Sequence, residues 1–191
     1  MHLGFLSETE ISPIAARLPV MPALVIAIVA VWVGLDQALK AWTVATIPLN
    51  AGYSYITAIP GFLSLTHVIN TGAAWSLFSS ATPLLIGLRV VVGAGILIWL
   101  LRTPKQPLVN IVAYSLIVGG AFGNAIDGIT RGHVVDMLQS HWLSAAYSAL
   151  GFGSVFPIFN IADIGVVGGV LLLIVSSIVQ DRKRARDPLK T

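Results

Sequence analysis

Cysteine is missing from all 191 residues, which removes disulfides, thiolate metal sites and a cysteine nucleophile. Charge is nearly missing too. Asp, Glu, Lys and Arg make up 10% of the chain against 56% hydrophobic residues, where a soluble domain carries about 25% charged residues. With a mean hydropathy of +0.88, that balance excludes an ordinary soluble domain and reads as an integral membrane protein. No Gly-rich phosphate loop with a following Lys is present, and no serine sits in a G-x-S-x-G elbow, so neither chemistry has a local signature. The formal charge of +3 comes mainly from Arg182, Lys183, Arg184, Arg186 and Lys190. That tail abuts an apolar run, so it reads as a cytoplasmic, lipid-facing anchor rather than a nucleic-acid surface.

Crossing a hydrocarbon core of about 30 Å takes about 20 helical residues. Four segments qualify, roughly 20–41, 83–101, 107–127 and 157–179. The first resembles a secretory signal in position. However, Gly34-Leu35-Asp36-Gln37 is a poor cleavage region and the run continues to Trp42, so a retained anchor is expected. Arg102 and Lys105 lie between the second and third spans and the basic tail follows the fourth, whereas residues 43–82 contain no Lys or Arg. The positive-inside rule then puts both termini in the cytoplasm. The expected layout is a single domain over 1–191. It has a cytoplasmic tail at 1–19, extracytoplasmic links at 43–82 and 128–156, and a basic cytoplasmic tail at 180–191.

The links carry structure of their own. Leu63, Leu65, His67 and Ile69 share one parity with Ser64 and Thr66 on the other, which predicts a short strand over 62–70 paired with 53–59. Ala73–Phe78 reads as a short interfacial helix anchored by Trp75 and Phe78. The link 128–156 is rich in Gly, Ser and aromatics and is expected to be mobile. The fold class is therefore mainly α: four transmembrane helices, a small extracytoplasmic β-element and one interfacial helix.

Against this apolar background four of the eight acidic residues stand out: Asp36, Asp127, Asp136 and Asp163 lie in or beside the apolar runs. A carboxylate at the centre of a membrane helix costs roughly 2.5–3.5 kcal/mol on insertion scales, and such groups usually mark function. Asn124 and Asp127 are spaced i, i+3, as are Asn160 and Asp163, so each pair shares a helix face. The third and fourth spans are joined on the same side as these ends, which brings Asp163 within reach of Asp127 or Asp136. Two carboxylates a few ångströms apart share a proton, and such a pair can polarise a carbonyl and activate water. The competing reading is structural, with the acids satisfying helix ends or balancing Lys40, Arg89 and Arg131. Asp36 and Lys40, acid before base at i, i+4, read as a supporting ion pair. Gly119 and Gly120 read as close helix packing. His133, Asp136 and His141 have a spacing that could hold zinc, but no H-E-x-x-H pattern accompanies it.

Taken together, Asp36-Gln37…Lys40, Asn70-Thr71-Gly72-Ala73-Ala74, Gly119-Gly120-Ala121…Gly123-Asn124…Asp127, Gly132-His133-Val134-Val135-Asp136 and Phe159-Asn160…Ala162-Asp163 resemble the blocks of the lipoprotein signal peptidase family, the type II aspartic signal peptidases of bacteria. The blocks stand in the family's order over roughly residues 20–180. The resemblance implies a four-span endopeptidase of the bacterial inner membrane, with its site near the outer face and no metal or organic cofactor. Its substrate would be a diacylglyceryl-modified prolipoprotein, cut just before the lipidated cysteine, and membrane lipids would be its other partner. A monomer is expected. The catalytic aspartates would be Asp136 and Asp163, a choice the spacing alone leaves open. Asp36, Lys40, Asn70, Gly72, Gly120, Asn124, Asp127 and Asn160 would support them or the substrate. Two departures stand out. Gly128 follows Asp127 where the family usually has Arg, leaving Arg131 to supply that cation, and the stretch over 141–156 is longer than usual.

Two other readings come from different classes. A proton- or ion-coupled transporter would relay charge through its aspartates, but it needs acids at several depths and broken-helix repeats. A structural subunit would use the polar cluster only for helix–helix hydrogen bonds.

Overall fold

The computed structural model describes residues 17–71, 82–103 and 105–186. Four helices are long and apolar enough to cross a membrane: α1 (Pro22–Thr46), α2 (Thr82–Arg102), α3 (Leu108–Arg131) and α5 (Ile161–Arg186). Pro22 opens α1, where a missing N–H costs nothing. Gly132 closes α3 in the left-handed conformation (φ 75°), its N–H reaching the Gly128 carbonyl at 3.1 Å. Large apolar side chains such as Val31, Leu35, Leu88, Val91, Leu171 and Val175 stay exposed along the outside, as a lipid-facing surface requires.

The third span is the hub, with α1, α2 and α5 all packed against it. Small residues make that possible. A Cβ on Gly120 would overlap the Ala162 carbonyl oxygen, and one on Gly169 would sit 2.6 Å from the Ala113 carbonyl oxygen. The α3 and α5 backbones therefore meet directly, the arrangement that van der Waals packing in lipid favours.

A three-stranded antiparallel sheet caps the end of the bundle where α3 stops and α5 starts. Its order is β2 (Ile56–Ile59), β3 (Leu63–Asn70), β5 (Val134–Ser140). The predicted 62–70 strand and its 53–59 partner are both present. Val68 lies opposite Asp136 and Asn70 opposite Val134, beyond an irregularity between Leu65 and Val68. Phe159 ties the entry to α5 onto β5, accepting from the Leu138 N–H at 2.8 Å and donating to the Leu138 carbonyl at 3.1 Å. At the opposite end, β1 (Arg17–Pro19) pairs with β4 (Lys105–Pro107).

The link over 128–156, expected to be mobile, holds more regular structure than its composition suggested. The third span continues to Arg131, β5 follows, and α4 (His141–Ala149) is capped by the Ser140 hydroxyl, which accepts from the Leu143 N–H at 3.3 Å. Every residue of β5 is buried, so it has no solvent face and no polar alternation to betray it. Gly72 and the interfacial helix expected over 73–78 lie outside the described residues.

Gly120→Ala is expected to cost about 1–3 kcal/mol by forcing α3 from α5. Gly95→Ala, with open space at that position, should cost nothing measurable. Thermal unfolding of the two variants in micelles checks the contrast.

Candidate active site

At the sheet end of the bundle Lys40 is fully buried. Its ammonium lies 2.8 Å from Asp36, 2.9 Å from Asp127 and 2.9 Å from the Asn124 side-chain oxygen. An unpaired charge there would be prohibitive, so two carboxylates enclose it. The expected Asp36–Lys40 pair is present, with Asp127 as a second counter-ion.

Each of those acids does a second job. Asp36 accepts from the Ala162 N–H at 2.9 Å, satisfying an orphan donor in the first turn of α5. Asp127 accepts from the Val135 N–H at 3.0 Å, fixing the start of β5. Arg131 closes on Asp127 from one turn further along α3. Gln37, absent from the predicted site, donates to Asp127 at 3.1 Å and to the Gly123 carbonyl at 3.0 Å, and accepts from Arg131 at 3.2 Å. In the sequence it stood only as a member of the Asp36-Gln37…Lys40 block, with no role of its own.

Asn160 joins this cluster to the two remaining aspartates. Its backbone N–H donates to Asp163 at 3.2 Å and its side-chain oxygen accepts from the Asp163 N–H at 3.0 Å, a reciprocal box at the start of α5. Its amide nitrogen donates to Asp136 at 2.6 Å and to Asn124 at 3.1 Å. Asn124 in turn donates to Asp163 at 2.8 Å, and Asn70, from the end of β3, donates to Asp136 at 2.8 Å. Asp136 and Asp163 thus flank one asparagine and share its hydrogen bonds, while Asp127 is committed to Lys40 and Arg131. The spacing had left Asp127 and Asp136 as alternatives for Asp163. In the structure Asp136 stands beside it.

Burial, followed by the charge of Asp163, pushes the Asp136 carboxyl up to about 7, against the opposing pull of the Asn70 and Asn160 amides. A pair like this holds one proton across neutral pH. That state supplies an acid to polarise a carbonyl and a base to activate water. Gly120 contributes packing, facing the Ala162 carbonyl and Val166 of α5. His141 meets the Ser64 hydroxyl at 2.7 Å, at the far end of the β3–β5 ladder from Asp136. Among the described residues no three His, Cys, Asp or Glu side chains gather as a metal site.

The family model for signal peptidase (SPase) II matches residues 28–179. The chain belongs to the signal peptidase II family. The lipoprotein signal peptidase of Deinococcus radiodurans is 51% identical over 160 residues, covering 83% of this chain and 81% of that one. The lipoprotein signal peptidase of Enterococcus faecalis is 39% identical over 158 residues, covering 83% and 89%. Two solved structures, each described as a bacterial membrane enzyme studied by the in meso method, superpose well. One has a TM-score of 0.73 at 28% identity, covering 92% of this chain and 98% of that one. The other has a TM-score of 0.69 at 31% identity, covering 83% and 94%. The four-span fold with a small sheet is thus a signal peptidase II fold, and the matched span contains every residue of the polar network described above.

Burying a carboxyl that must ionise as pH rises costs the protein stability. The folded chain keeps the Asp136 proton to higher pH than the unfolded chain does, so stability falls as pH rises from the ordinary carboxylate range through about 7. The thermal midpoint in micelles should decline across that window, and Asp136→Asn should flatten the decline. Equal slopes in the two proteins would place the titration on another group.

Proposed function

We infer that the protein removes signal peptides from prolipoproteins, and that Asp136 and Asp163 are the catalytic aspartates. The observation that carries this reading is that Asn160 donates to both carboxylates at the sheet end of the bundle, its side-chain amide to Asp136 and its backbone N–H to Asp163. One carboxyl, protonated, donates to the scissile carbonyl oxygen. The other, ionised, takes a proton from the attacking water, and the roles reverse as the amine leaves. The substrate is a prolipoprotein already carrying a diacylglyceryl group on the cysteine after the cut. Its acyl chains stay in lipid and hold the scissile bond at the depth of the pair.

The whole chain acts as one four-span peptidase domain and as a monomer, with both termini cytoplasmic and the pair near the outer face of the bacterial inner membrane. The distribution of Lys and Arg supports that orientation. Asn124, Asp127, Arg131 and Asn160 hold the pair in place, Asp36 and Lys40 anchor that support, and Asn70 orients Asp136. Substrate peptide does not pair along the whole of β3. The Leu63–Leu65 stretch of β3 already has β2 on one side and β5 on the other, so the peptide has no edge to join there. A transporter reading finds no path, since the four odd aspartates gather at one end of the bundle instead of spanning several depths.

Purified Asp136→Asn and Asp163→Asn proteins, each on a diacylated prolipoprotein, are expected to lose about 10²–10⁴-fold in turnover while remaining folded, and wild-type turnover should survive a chelator. Retained turnover in either variant would remove that residue from the reaction. Chelator-sensitive cleavage would contradict this metal-free reaction; His133 and His141, spaced as a possible zinc pair in the sequence, stand at opposite ends of β5 and cannot share one ion.

A further inference from the structure

Charge at the sheet end of the bundle can be counted. Among the described residues the acids there are Asp36, Asp127, Asp136 and Asp163, and the cations are Lys40, Arg89 and Arg131. Lys40 and Arg131 are taken by Asp36 and Asp127. That leaves two aspartates and one arginine. In a weakly polar interior the sum closes only if the two aspartates hold one proton between them and Arg89 balances the remaining charge.

The helix geometry places Arg89 for that task. Ile86 abuts Gly128, where an added Cβ would come within 2.5 Å of it, and Gly93 lies under the Phe122 ring. Both therefore face α3. Arg89 is three residues after Ile86 and four before Gly93, on the same stripe. Val90 and Leu97 turn to one flank of that stripe and line an apolar groove with Ile26 and Val33 of α1. Arg89 is left on the opposite flank, half-buried, where its charge reaches Asp163. Among the described residues it makes no ion pair within 4 Å.

We propose that Arg89 is the counter-ion of the Asp136–Asp163 pair, a positioning residue that keeps the pair's single negative charge on Asp163 and so leaves the shared proton on Asp136. The surroundings of the two acids agree with this division. Asp163 is faced by Asp136 from β5, Arg89 from α2, and Lys40 from α1 with Asn124 between them, and it sits in the first turn of α5, where the helix dipole favours an anion. Among the described residues Asp136 receives the neutral amides of Asn70 and Asn160 in direct contact, and the charge of Lys40 at longer range.

The inference rests on the pair being catalytic and assigns its two roles. Asp163 takes a proton from water as the hydroxyl oxygen bonds to the carbonyl carbon, and Asp136 gives its proton to the carbonyl oxygen. The tetrahedral adduct then breaks its C–N bond. Asp163 returns its proton to the leaving nitrogen and Asp136 recovers one from the adduct's hydroxyl, restoring both groups.

The test is the pH profile of kcat/KM for the full-length enzyme in micelles on a diacylated prolipoprotein, comparing wild type, Arg89→Gln and Arg89→Lys. Loss of the cation in Arg89→Gln should carry the whole bell to higher pH by about one unit, so on its acid side kcat/KM falls about tenfold. Arg89→Lys should restore the wild-type position. Should Arg89→Gln fail to accumulate, Arg89→Met keeps the stem's packing, suits a membrane helix and should give the same shift. An unmoved bell, or a rise in KM alone, would make Arg89 a lipid or substrate anchor and overturn the assignment. Asp163→Asn in the same assay separates the two levels. If it is inactive while the bell stays put, only the counter-ion role falls; if it turns over, the catalytic reading itself falls.

Discussion

A fully buried ammonium is the constraint on which the site depends. Lys40 cannot sit in an apolar bundle unless α1 and α3 each bring a carboxylate to it, and those carboxylates then reach on to α5 and β5. A buried ion pair is weak support for stability, since desolvation consumes most of what the attraction returns. What it supplies here is registration. Sliding α1 or α3 by one turn would strand a charge in a dry interior, so the helices have one acceptable alignment. That alignment sets the depth of Asn124 and the first turn of α5.

Asn160 converts the alignment into chemistry. It caps α5, bonds Asn124 and holds Asp136, so the helix start and the strand cannot drift apart without breaking several hydrogen bonds at once. The direct contact of α3 and α5 at Gly120 and Gly169 makes this reach short enough. The outcome is a pair of acids in an environment that disfavours charging both. Burial that raises the Asp136 carboxyl to about 7 makes its ionisation cost the fold stability as pH rises, a cost in keeping with the proposed proton-transfer role.

Much of this was legible in the residues, for identifiable reasons. Long apolar runs announced the four spans because a bilayer demands them, and β3 was visible because one of its faces is polar. The strand carrying Asp136 was not, because burial on both faces removes the alternation that marks a strand, and its neighbours Gly132, Ser140 and Trp142 read as loop. The i, i+3 pairs Asn124–Asp127 and Asn160–Asp163 announced polar helix faces. Spacing could not say which of Asp127 and Asp136 stands next to Asp163, since that depends on Asp127 being claimed by Lys40 across the bundle as well as by Arg131 on its own helix. Family resemblance made the choice of Asp136, and the network explains it physically. Arg131 meeting Asp127 follows from helix periodicity, because residue 131 lies one turn from residue 127. Gln37 gained its place only from tertiary contacts.

The central claim is that Asp136 and Asp163 hold one proton between them as a unit. Isotope-edited infrared spectroscopy of the aspartate carboxyls, titrated in micelles and compared with variants lacking each residue in turn, tests it most directly. The account predicts one protonated carboxyl band persisting to neutral pH, lost when either aspartate is replaced by asparagine in a way that shifts the titration of the other. Two bands that both vanish in the ordinary carboxylate range, each indifferent to the other residue, would contradict it.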